Sequence, residues 1–114
     1  MQTLIIDVAT IEEVKASMKA AFRGEPQGCR YSFASEERLL EVLNGRRWAI
    51  LKVLAGQGPV GMRELARRLG RDIKPLSRDT KTLTDCGLID KQPDGKVEFP
   101  YNGIDLAIRF RNAA

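Results

Sequence analysis

The sequence predicts an α+β fold in which a strand and helix open the chain and three helices followed by a pair of strands make up the rest. Three observations carry this. An apolar stripe at helical spacing follows the capping pattern Thr10-Ile11-Glu12-Glu13. From Asn44 onward, helix starts at Asn44 and Asp72 alternate with stops at Gly56-Gln57-Gly58-Pro59, Gly70 and Gly87. Two short runs, Leu88 to Gln92 and Lys96 to Phe99, flank the turn formers Pro93-Asp94-Gly95.

Taken in order, Thr3 to Val8 reads as a short strand, and Thr10 caps a helix that runs to about Arg23. Ile11, Val14, Met18, Ala21 and Phe22 fall on one side of it, so that side is expected to pack on something. Residues 24–29, GEPQGC, form the clearest linker. Tyr31-Ser32-Phe33 reads as extended, and Ser35 caps a helix carrying Leu39, Leu40 and Leu43.

Asn44 caps the next helix, with Trp48, Leu51 and Ala55 on one side and Ile50 and Leu54 beside them. A short amphipathic helix over 62–69 stops at Gly70. Asp72 caps a third helix ending at Cys86, with Pro75 tolerated in its first turn, where an absent N–H loses no helical partner. Three helices with a hairpin behind them form a winged helix-turn-helix. Ile104, Leu106, Ile108 and Phe110 alternate, which predicts a last strand, with a short helix as the alternative. The chain thus divides into a strand-helix arm, residues 1–44, for packing, dimerisation or partner binding, and a winged helix-turn-helix over 45–114.

Composition bounds the function. The 114 residues are 43% hydrophobic and 30% charged, a balance that suits one compact domain with a real core. The net charge of +4 is uneven. Residues 1–44 hold 5 Lys/Arg against 7 Asp/Glu, and 45–114 hold 14 against 8, so the basic character belongs to the second part. There is no histidine, and the two cysteines, Cys29 and Cys86, sit in no metal-binding spacing, so neither a zinc site nor any other cofactor is expected. Without histidine, a nucleophile elbow or a phosphate-cradling glycine loop, no catalytic residues are expected either. The early apolar run Leu4-Ile5-Ile6 is too short for a secretory signal, and nothing approaches the ~20 apolar residues of a membrane span. The expectation is a cytoplasmic protein.

On a helical wheel of about 100° per residue, Ile73, Leu76, Thr80 and Leu83 share one side of the third helix. Lys74, Arg78 and Lys81 share the opposite side, with Ser77 at its edge. A core seam backed by a basic seam suits a helix lying in a DNA major groove. Arg78 is the expected base reader, because its planar fork can bind guanine bidentately and lysine cannot. Arg63 on the second helix can reach phosphates, Arg71 lies in the turn, and Lys91 and Lys96 lie on the hairpin. Asp79, to the side of the basic seam, can orient Arg78 or pair with a cation on a neighbouring helix. Asp85 shares the basic azimuth one turn further on.

The segment RELARRLGRDIKPLSRDTKTLTDCGLI, residues 63–89, resembles the helix-turn-helix of MarR-like and ArsR-like winged-helix regulators. With Thr3 to Phe22, Ser32 to Glu37 and Gly45-Arg46-Arg47-Trp48 added, the chain resembles small prokaryotic winged-helix DNA-binding proteins, a group often paired with a small toxin. The resemblance implies a recognition-helix role for Lys74, Ser77, Arg78 and Lys81, a wing role for Lys91 and Lys96, and an antitoxin that represses its own operon. Asp90, Asp94 and Glu98 interrupt the wing, which argues against deep minor-groove insertion. The expected partners are double-stranded DNA, a second copy of the chain and a cognate toxin, with no membrane. A protein-interaction module that binds a partner through the arm is the alternative.

Overall fold

The structure, a computed structural model, describes residues 2–23 and 29–108. Among the described residues, five helices and two small sheets make a mixed α and β fold. Strand β1, Thr3–Val8, leads into α1, Ile11–Phe22, whose start is capped by the Thr10 hydroxyl accepting the Glu13 N–H at 3.1 Å. Next come β2, Arg30–Phe33, and α2, Glu36–Val42, the latter capped by the Ser35 side chain accepting the Arg38 N–H at 3.2 Å. Asn44 does the same for α3, Gly45–Leu54, accepting from Arg47 at 3.0 Å. Then follow α4, Met62–Leu69, and α5, Ile73–Asp85. Short strands β3, Asp90–Lys91, and β4, Val97–Glu98, precede β5, Gly103–Ala107. Residues 24–28 of the predicted linker, residues 109–111 of the predicted last strand, and the side chains of Ala21 and Phe22 lie outside the described residues.

In the larger sheet β1 is central and pairs in parallel with both β2 and β5. Parallel pairing needs a crossover, and α1 supplies the one between β1 and β2. Since side chains alternate along a strand, Leu4, Ile6 and Val8 share a face with Tyr31, Phe33, Ile104 and Leu106. That face joins the core, where Leu4, Ile6 and Phe33 meet Leu39, Ile50, Leu51, Leu54, Leu76 and Leu83. The opposite face is polar: buried Asp7 accepts hydrogen bonds from Arg30 and, at 2.5 Å, from Ser32. Because β5 belongs to the second segment and lies beside β1, the sheet and the core both span the boundary expected at residue 44.

One packing expectation needs correction. Ile73 is 44% exposed, so the inner seam of α5 is Leu76, Thr80 and Leu83 alone. On α3 the fully buried side chains are Ile50, Leu51 and Leu54, and Trp48 is half-buried, because the helix packs against α4 and α5 on that side. Leu40 on α2 is exposed while Leu39 and Leu43 are buried. Val60 adds a contact with no sequence signal, a single antiparallel bridge to Val97 through paired backbone bonds of 2.8 and 2.9 Å.

The arm is tied to α5 by one further bond. The Tyr31 hydroxyl donates to the carbonyl of Cys86, the C-terminal cap residue of that helix. Burial, then the neighbouring Cys86, pushes the Tyr31 phenol up to about 12 from its ordinary 10.0. A raised folded value means this contribution is complete below pH 10 and is lost as the pH climbs from there toward about 12. Tyr31→Phe should therefore cost about 1 kcal/mol at neutral pH. In urea unfolding followed across this alkaline range, the difference between wild type and variant should shrink as the pH rises.

Candidate nucleic-acid interface

The orientation of α5 is set by ion pairs as much as by its apolar seam. Asp79, largely buried, accepts from Arg47 Nε of α3 at 3.1 Å and from Arg71 Nη2 of the α4–α5 turn at 2.8 Å. Arg47 also donates to the carbonyl oxygens of Glu41 and Val42 at the end of α2, at 2.9 and 3.3 Å. Of the two roles the sequence allowed Asp79, the structure shows the pairing with neighbouring cations. Arg71 is correspondingly turned inward, with its side chain only 17% exposed, and it stands apart from the other expected interface residues.

The turn that sets α5 against α4 depends on Gly70. Its φ of 63° and ψ of 38° are left-handed, a conformation glycine adopts without Cβ strain, and the Arg71 N–H closes the helix end onto the Ala66 carbonyl at 3.0 Å. Asp72 occupies the cap position of α5 but makes no side-chain cap bond.

With the inner seam fixed, Lys74, Ser77, Arg78 and Lys81 are exposed along the outer side of α5. Lys74 and Arg78 take part in no ion pair among the described residues, while Lys81 pairs with Asp85 at 2.7 Å. That pair is more than 60% exposed at both ends, so its strength is small and an incoming anion can displace Asp85 at little cost.

Beside this seam lies a groove of about 360 Å³ between α5 and the hairpin. Ser77, Lys81 and Thr84, spaced i, i+4 and i+7, line one wall, Lys91 lies across from them, and Met62 and Val97 contribute to the lining. The expected residues Ser77, Lys81 and Lys91 thus come together. Thr84 joins them unforeseen, although its spacing from Ser77 was the available signal. Lys96 is exposed at the hairpin turn, where Gly95 has a φ of 90° and the Lys96 N–H donates to Asp94 at 3.0 Å. Asp90 and Glu98 face each other across β3 and β4, which keeps the hairpin's paired strands acidic.

On α4, Arg63 is exposed and makes no ion pair among the described residues, but it does not line the groove. Arg67 and Arg68 both donate to Glu64, whose carboxyl they hold down at about 2. At any ordinary pH the charges of these two arginines are therefore already partly answered within their own helix.

Two features define the chemical class of this surface. It carries exposed cations on one helical face, and next to them a groove in which the Ser77 hydroxyl and the Lys81 and Lys91 ammonium groups suit anionic oxygen, with the Asp85 carboxylate, paired to Lys81, also in its lining. The HVO_A0114 family model matches residues 42–106, which include α3 to α5 and the hairpin, and the chain belongs to that family. Comparisons with curated proteins and with solved structures give no match.

Replacing Asp79 with asparagine should leave two guanidinium groups facing each other without a counter-charge. Fully buried pairs lose roughly 3–5 kcal/mol on such a change, and the residual exposure here reduces the expectation to about 2 kcal/mol. Denaturant unfolding of Asp79→Asn beside Lys74→Ala checks this, the second variant being expected to stay within about 0.5 kcal/mol of wild type.

Proposed function

We propose that the protein is a sequence-specific DNA-binding transcriptional regulator built on a winged helix-turn-helix, with α5 as its recognition helix. The observation that carries this is the two-sided character of α5. Leu76, Thr80 and Leu83 are buried, while Lys74, Ser77, Arg78 and Lys81 stand exposed on the other side, beside a groove that ends at Lys91. The order of elements supports the same reading, since α3, α4 and α5 are followed by the β3–β4 hairpin, and the Val60 bridge to Val97 adds a third, one-residue strand.

In this reading Arg78 contacts a base edge, Lys74 and Lys81 neutralise phosphates, and Lys91 holds the backbone that runs through the groove. Arg63 and Lys96 extend the phosphate contacts, and Arg71 acts through Asp79 by holding the helix in place. A dimer would set two copies of α5 in successive major grooves about 34 Å apart, on an inverted repeat. The resemblance to antitoxin-type regulators extends the proposal to a repressor of its own operon that also holds a toxin.

A second reading is favoured by the exposed Ile11, Val14 and Met18 of α1. Here the domain is a protein-interaction module whose arm docks a partner, and the basic face serves solubility.

Selection of sites from a random duplex pool at two salt concentrations, with wild type beside Arg78→Ala, separates the two. The proposal predicts an enriched inverted repeat and a loss of about 1–3 kcal/mol in the variant, with relaxed preference at the contacted base. It also predicts a log–log salt slope of roughly −0.9 per phosphate neutralised, reduced by about 1 in Lys74→Ala. Recovery of no motif, with binding indifferent to Arg78, would remove it in favour of the second reading.

A further inference from the structure

The apolar side of α1 is exposed among the described residues. Ile11, Val14 and Met18, at i, i+3 and i+7, are 69%, 40% and 56% exposed. Three apolar side chains in a row on one helix face are the signature of a surface that another molecule covers.

The charges beside the stripe indicate which molecule. The first turn of α1 is acidic, with Glu12 and Glu13, and the last is basic, with Lys19. Glu12 and Lys19 are seven residues apart, which puts them within about 20° of each other on the helix, along the same edge of the stripe, with exposed Lys15 between them in the middle of the helix. Neither takes part in an ion pair among the described residues. Glu13, by contrast, is already engaged by the Thr10 hydroxyl.

A helix with an acid at one end and a base at the other, on one edge, is complementary to itself when run backwards. A two-fold axis through its middle supplies that arrangement, and each such contact then occurs twice. A docking surface of uniform charge would meet repulsion at one end. We propose that α1 pairs antiparallel with α1 of a second copy, burying Ile11, Val14 and Met18 and setting Glu12 of each protomer against Lys19 of the other. The inference rests on the dimeric reading above and supplies its interface.

Sedimentation velocity without DNA, over a range of protein concentrations, tests it on the full chain. The proteins are wild type, Met18→Glu, Glu12→Lys, Lys19→Glu and an equimolar mixture of the last two. All the substituted positions are exposed, and circular dichroism confirms that each variant folds. The expectation is a wild-type dimer, at least tenfold weaker association in each single variant, and recovery toward wild type in the mixture, where opposite charges face each other again at both ends. A wild type that dimerises while Met18→Glu and the charge variants associate equally well would overturn the α1 interface and leave a dimeric DNA reader standing. A wild type that stays monomeric at every concentration would overturn the interface as well, and the site selection above would then decide whether any dimer forms on DNA.

Discussion

Asp79 is the group on which the presentation of α5 depends. An amphipathic helix has two faces to place, and a buried seam of only Leu76, Thr80 and Leu83 fixes which face is inside without fixing the tilt. A carboxylate held between Arg47 and Arg71 constrains the helix from two directions, one from α3 and one from the turn that precedes α5. Arg47 carries the constraint onward to the end of α2. In consequence Lys74 and Arg78 stand exposed, and neither pairs with a carboxylate among the described residues.

The rest of the molecule ties the arm to this unit. β5 crosses from the basic segment to lie beside β1, and the Tyr31 hydroxyl reaches the last turn of α5 at Cys86. Both ends of the recognition-helix candidate are therefore held by other parts of the fold, its start through Arg71 and its end through the sheet. Exposed cations lie on α3, α4 and the arm as well, but on α5 Lys74 and Arg78 are exposed and take part in no ion pair among the described residues, and the arm presents an apolar stripe between acidic and basic ends.

What was legible in the sequence was local. Ser35, Asn44 and Gly70 announce helix ends because a cap is made within three or four residues of its own position, and each was found where it was read. The basic seam of α5 was legible for the same reason, as a periodicity. What was hidden depends on contacts between distant residues. Parallel pairing of β1 with β5 leaves no local trace, and one residue, Val60, is too short a strand to produce an alternation. Ile73 reads as core by its azimuth, yet at the first position of α5 it is 44% exposed. Arg71 reads as one more cation in a basic run, and only the fold shows that its charge is turned toward Asp79.

The central claim is that the outer side of α5 and the groove beside it form one DNA-reading surface. The most direct measurement is a titration of the isotopically labelled protein with a short duplex at low salt, following the backbone amide signals. The account predicts perturbations concentrated from Lys74 to Thr84 and from Lys91 to Lys96, shrinking as salt is added, with α1 undisturbed. Amide signals on α5 and the hairpin that do not move, or perturbations confined to the arm, would contradict it.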